Sequence, residues 1–225
     1  MSAVTESQVV LGIDTATVVN VGLAAGDEVL AVATVSDPRA HAEQLLPQVR
    51  RCLSDGGCRL VDVDHLVVGM GPGPFTGLRV GIATAQILSA AGSIPLHGVC
   101  SLDVLAVHYV TQWAPEDGFV VATDARRREV YWAAYAPSGA RLVGPHVGPP
   151  ADVPEMLVIG PAAELYPDRL LIAPGPRSLD PGVLARMGRG LPSVGSEPLY
   201  LRRADAAEPT RRKSVLVRRS AGRLH

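Results

Sequence analysis

The residues of this 225-residue chain that could do chemistry gather at three places. One is the run Gly71-Pro-Gly-Pro-Phe-Thr-Gly-Leu-Arg-Val-Gly81; the others are Asp14 and Asp124, each closing a short apolar run. Glycines between a strand and a helix let main-chain N–H groups surround an anion, which makes the run a candidate phosphate loop. Two features oppose that. The Gly-Lys-Ser/Thr ending of a nucleotide loop is missing, and Pro72 and Pro74 remove two donors. The alternative is a stiff mount for a helix with Thr76 as its N-cap, Arg79 being a contact for an anion or a partner. Asp14 and Asp124 admit two roles as well: ligating a divalent cation across a cleft, or capping their own turns.

Other chemistry has little to draw on. The six histidines are scattered, and HExxH, HxxxH and GxSxG are all absent. His41 can cap a helix, face a cleft or lie on the surface, while Ser101 and Asp103 open a helical segment and suit capping. Cys52, Cys58 and Cys100 form no CxxC and read as buried thiols of a reducing cytoplasm. No catalytic residue, metal site or cofactor is expected.

Positioning these residues takes a repeated unit. Val9 to Ile13, Val18 to Ala24 and Val29 to Val35 read as three antiparallel strands. Leu45, Leu46, Val49 and Leu53 recur at helical spacing between Ala40 and Leu53, with Pro47 marking the helix start or a kink. A strand over His65 to Met70, a helix over Thr76 to Ala91 and a strand over Ile94 to Val99 complete the order βββαβαβ. Strands at Phe119 to Thr123, Glu129 to Ala136, Arg141 to Val147 and Met156 to Ile159 repeat it, with weaker helices. Two echoes support duplication: Val10-Leu-Gly-Ile-Asp14 against Val120-Val-Ala-Thr-Asp124, and Leu66-Val-Val-Gly69 against Met156-Leu-Val-Ile-Gly160. The expected units are an N-terminal lobe over 1–105, to which the family resemblance given below assigns a partner interface, a C-terminal lobe over 106–205 and a basic, disordered tail over 206–225.

A tandem unit with an Asp ending each first strand resembles the plan of actin, hexokinase and Hsp70. That resemblance implies an α/β fold of two ribonuclease-H-like lobes, the ASKHA fold, with a cleft between them. In that group the first-strand Asp and the next hairpin approach nucleotide phosphates and Mg²⁺, so Asp14, Thr15 and Asp124 are the candidates for nucleotide binding. The approach needs a hairpin glycine. Here Ala16 stands in its place, and its methyl would crowd a phosphate.

The helix over 77–91 carries one charge and is apolar around most of its circumference, so it needs cover on both sides. Its own sheet supplies one. The other is either the rest of the domain or a second subunit, which small residues such as Gly81, Ala83 and Ala85 would admit closely.

Six segments, in order, resemble the TsaB (YeaZ-like) family: Gly12-Ile-Asp-Thr15, His41-Ala-Glu-Gln-Leu-Leu-Pro47, Gly71-Pro-Gly-Pro-Phe-Thr-Gly-Leu-Arg79, Val99-Cys-Ser-Leu-Asp-Val-Leu-Ala106, Asp124-Ala-Arg-Arg-Arg-Glu-Val-Tyr131 and Pro198-Leu-Tyr-Leu-Arg202. The resemblance implies a non-catalytic scaffold in the complex that places a threonylcarbamoyl group on the adenosine beside the tRNA anticodon. It implies pairing with TsaD, or with a second copy when alone, and recognition of the pair by TsaE. The metal motif of TsaD would fall near Val99 to Asp103, where this chain has no histidine. The pairing helices would place Leu46, Val49, Arg50, Leu53, Gly77, Leu78, Val80, Gly81, Ala83, Thr84 and Ile87 at the interface. Pro74 departs from the family's usual Ser. An autonomous ATP-dependent kinase or ATPase of the same fold is the alternative, and a metallopeptidase a more remote one.

Composition agrees with a folded chain, 47% hydrophobic and 19% charged. From Ala206 onward six basic residues stand against Glu208 alone, so the tail could touch tRNA phosphate weakly, although no aromatic residue interleaves it. Val80 to Leu102 has no Lys, Arg, Asp or Glu, but Gly92 and Pro95 divide it, so it is expected to be buried structure and not a membrane span. A cytoplasmic location is expected.

Overall fold

The computed structural model describes residues 7–36 and 41–202, with backbone alone at 41 and 42. The basic tail and the His41 side chain therefore lie outside the described residues. The first half contains β1 (Val9–Asp14), β2 (Val19–Ala25), β3 (Glu28–Val35), α1 (His41–Asp55), β4 (His65–Gly69), α2 (Phe75–Gly92) and β5 (Leu96–Val99). Its sheet has the order β3-β2-β1-β4-β5, antiparallel on the β2 side of β1 and parallel on the β4 side. After α3 (Ser101–Trp113) the second half runs β6 (Phe119–Asp124), β7 (Val130–Tyr135), β8 (Arg141–Gly148), β9 (Leu157–Ile159), α4 (Ala162–Leu165), β10 (Leu171–Ile172) and α5 (Pro181–Met187). Its sheet order, β10-β9-β6-β7-β8, repeats the first, with β6 in the place of β1. The fold is α/β, two ribonuclease-H-like units of the ASKHA plan.

β2 is buried along nearly its whole length because helices cover both of its faces. On one side lies α1, whose buried Leu45, Val49, Cys52 and Leu53 follow the helical period. That packing keeps the helix continuous through Pro47, where the sequence suggested a start or a kink. On the other side lies α5, which belongs to the far end of the chain. Asp180 caps it, accepting from the N–H groups of Gly182 at 2.7 Å and Val183 at 3.1 Å, and Pro181 occupies the first turn. The approach is close: a Cβ on Gly22 would sit 1.9 Å from the Pro181 carbonyl oxygen.

α3 and α5 lie between the two sheets. One core cluster joins Val10, Val67 and Val99 of the first sheet to Phe119, Val121 and Ile159 of the second, with Leu102, Tyr109 and Leu184 from these helices. The chain then returns along the first unit, Val194 donating to Gly98 and Leu199 to Met70. No helix among the described residues is long and apolar enough to cross a membrane. Ser93, left-handed at φ 52°, ends α2 inside the uncharged stretch.

Candidate functional site

The cleft between the two units has a floor and a mouth. At the floor, Asp14 is 1% exposed. Its Oδ1 accepts from the Ala16 N–H at 2.9 Å, and its Oδ2 from the Ser101 hydroxyl at 2.5 Å. The Ser101 Oγ in turn accepts from the Gly71 N–H at 3.2 Å. The space remaining between Asp14, Ala16, Pro72, Ser101, Thr123 and Leu179 is about 10 Å³, room for one water at most. A nucleotide phosphate enters this arrangement only if the two units part.

Asp124 is not among the residues lining that floor. It serves its own turn, accepting from the Arg126 N–H at 2.8 Å and pairing with the Arg126 guanidinium at 3.3 Å. Thr15 faces α2, where its hydroxyl donates to the Gly77 carbonyl at 2.8 Å. Among the described residues, no group of three or more His, Cys, Asp and Glu side chains could hold a metal ion.

The glycine run packs against the β1–β2 turn. A Cβ on Gly73 would sit 2.6 Å from the Ala16 carbonyl oxygen, and one on Gly81 would sit 2.1 Å from the Thr15 hydroxyl oxygen. The close approach that Gly81 permits is therefore within the chain, not to a second subunit. Ala85, also expected to admit a partner, is fully buried. Thr76 does not cap α2; Pro74 holds the N-cap position with no side-chain bond, and Thr76 lies inside the first turn.

At the mouth three sequence-distant segments converge. The β6–β7 turn holds Arg126, Arg127 and Arg128 at φ 61°, 54° and 61°, three consecutive left-handed residues without a glycine. Each costs on the order of 1 kcal/mol over a glycine. Arg202, from the C-terminal return, donates to the Ala125 carbonyl at 2.8 Å and pairs with Glu129. Tyr200 lies against Phe75 with ring centroids 4.8 Å apart. The Arg79 guanidinium sits 3.7 Å from the Phe75 centroid and donates to the Tyr200 hydroxyl at 3.1 Å. These groups enclose a pocket of about 180 Å³ whose lining includes Gly73, Phe75, Arg126, Arg127, Tyr131 and Tyr200.

α1 and α2 lie side by side on the outside of the first sheet. Of the residues expected at an interface, Leu46, Arg50, Ala83 and Ile87 are exposed, Ile87 by 67%, and Val80 and Thr84 are half-buried. Val49, Leu53, Gly77, Leu78 and Gly81 are buried. Those five face inward, Gly77 and Gly81 onto Thr15 of the β1–β2 turn and the others into the core of the first unit, because the helical period that carries one set outward carries the other inward. They support the face from beneath and do not form it.

The family model described as "TsaD: tRNA N6-adenosine threonylcarbamoyltransferase" matches residues 29–169. An uncharacterised protein of Mycobacterium tuberculosis is 42% identical over 203 residues, 88% of this chain and 93% of its own. The Escherichia coli tRNA threonylcarbamoyladenosine biosynthesis protein TsaB is 40% identical over 100 residues, 44% of this chain and 42% of its own. YeaZ from Pseudomonas aeruginosa superposes with a TM-score of 0.69 at 30% identity, covering 86% of this chain and all of that one. The chain belongs to the TsaB/YeaZ-like family.

In this TsaB/YeaZ-like chain, Ser101 and Asp103 do more than their place at a helix start suggested. Cys100 is the N-cap residue of α3, with no side-chain bond. Ser101 instead reaches Asp14. Asp103 accepts from the Tyr135 hydroxyl at 2.8 Å and lies 3.4 Å from the Arg141 guanidinium, tying α3 to β7 and β8. Burial pushes the Asp103 carboxyl above the ordinary carboxylate range, against the opposing pull of Tyr135 and Arg141. The Cys100 thiol is pushed up to about 12 by burial and then by Asp103, which leaves it uncharged. The pocket at the mouth was also beyond sequence reasoning. Its three segments were each visible, but nothing local says that residues 73–75, 125–131 and 200–202 meet.

Proposed function

We propose that this chain is the non-catalytic scaffold subunit of a cytoplasmic complex that makes threonylcarbamoyladenosine on tRNA. It pairs with TsaD through the outward face of α1 and α2, or with a second copy when alone, and the pair is then recognised by TsaE. The observation that carries the reading is the solvent-facing side of α2, where Ala83 and Ile87 stand exposed, as does Leu46 on the α1 helix packed next to it. Such a face gains by being covered, at about 25 cal/mol per Å² of apolar surface removed from water. The filled floor of the cleft supports the non-catalytic part, since Asp14 is already engaged by Ser101 and Ala16.

Mixing the chain with TsaD and TsaE should restore tRNA modification that TsaD and TsaE alone do not perform. Full activity without it would sink the proposal. Ala83→Glu and Ile87→Asp should abolish co-purification with TsaD while changing the stability of the isolated chain by no more than about 0.5 kcal/mol, both positions being exposed. Calorimetric titration with Mg-ATP tests the competing reading. Tight stoichiometric binding to the isolated chain would favour an autonomous kinase or ATPase.

A further inference from the structure

We propose that the pocket at the cleft mouth is an RNA contact, taking one unpaired nucleotide of the tRNA that the complex modifies. Its phosphate would lie on the Arg126–Arg128 turn and its base on Tyr200. The inference rests on the function proposed above.

The Asp124-Ala-Arg-Arg-Arg-Glu-Val-Tyr131 segment takes no part in the α1–α2 face. Among the described residues, Arg126, Arg127 and Arg202 line the pocket, with Arg128 next to them on the turn and Arg79 against Phe75, while the acids of these segments are Asp124 and Glu129. Both carboxylates are engaged, Asp124 by Arg126 and Glu129 by Arg202, and among the described residues of these segments arginines outnumber carboxylates. Arg127 and Arg128 are exposed on the turn. Beside them Arg79, Phe75 and Tyr200 form a stack, and Tyr200 is 38% exposed at its end.

Guanidinium groups next to an accessible ring are the pair of chemistries by which unpaired RNA is held, phosphate by charge and base by stacking. An acidic peptide would use the first and leave the second idle. The size favours a single splayed nucleotide, since about 180 Å³ has no room for a duplex. The 206–225 tail is basic but has no Phe, Tyr or Trp, so the two elements offer RNA different things.

Anisotropy of a labelled anticodon stem-loop transcript, titrated with the full chain alone and with the TsaD–TsaE assembly across a salt series, tests this. Asparagine tolerates a left-handed backbone, so Arg127→Asn with Arg128→Asn removes charge without disturbing the turn. A lost single-strand phosphate contact lowers the slope of log affinity against log salt by about 0.7. The double variant, which loses the one phosphate contact of the turn, should therefore lose about 0.7 in slope and bind on the order of tenfold more weakly at low salt. Tyr200→Leu keeps an apolar contact with Phe75 and should weaken binding by on the order of tenfold with the slope unchanged. Wild-type affinity and slope in both variants would overturn the proposal, as would loss of binding on tail neutralisation alone. Displacement by equimolar AMP would overturn the strand in favour of a free nucleotide. If the variants also restore modification normally, the RNA contact falls and the scaffold stands; if the wild type fails to restore it, the scaffold reading itself falls.

Discussion

Asp103 is a carboxyl held where its charge is unwelcome. Burial dominates, so in the folded chain it keeps its proton above the ordinary value of 3.8. Across the window above 3.8 the folded state binds more protons than the unfolded one, and stability falls as pH rises through it. Asp103→Asn, neutral throughout, removes that dependence while its amide oxygen can still accept from Tyr135. Denaturant unfolding between about pH 4 and pH 8 should give a flatter stability profile for the variant than for the parent. An equal slope in both would show that Asp103 ionises in the fold as readily as out of it. The partners of such residues were not legible in the sequence. Asp14 is recognisable at the end of an apolar run, but Ser101, which closes on it, is 87 residues away and reads as a helix cap.

Elements with strong periodicity were legible and elements held by neighbours were not. The first three strands and α2 follow from alternation, turn residues and an apolar run, and the structure moves their ends by one residue or so. α5 has only seven residues and no amphipathic signal of its own; what makes it a helix is Asp180 at its N-cap and a place on β1 and β2. Gly22 is the other half of that contact. Gly22→Ala should push α5 from the sheet and cost at least about 1–3 kcal/mol, the range for overpacking a close contact. The midpoint of denaturant unfolding measures it, and an unchanged midpoint would mean that α5 shifts without loss.

Over the whole molecule, two similar sheets share one interior. Because α5 packs on the first sheet, α3 on the second, and the two helices on each other within one core cluster, heating should give a single cooperative transition, with calorimetric and van't Hoff enthalpies in agreement. Two resolved transitions would show that the units unfold separately. A fragment ending before Asp180 should fail to give the cooperative transition, since it bares one face of β1 and β2. The duplication was legible as two echoes in the sequence, whereas the sharing was not, because a helix from the second half that lands on the first sheet leaves no mark in either repeat.

The placement of α5 also governs the order in which the chain can complete itself. β1 to β5 leave the ribosome early, yet the helix that covers their second face begins about eighty residues after β5 ends. At roughly 5–20 residues per second, the nascent first sheet waits on the order of five to twenty seconds half-clothed. During that interval its uncovered face is open to aggregation and to holding chaperones, and refolding from denaturant carries the same long-range closure as its slow step.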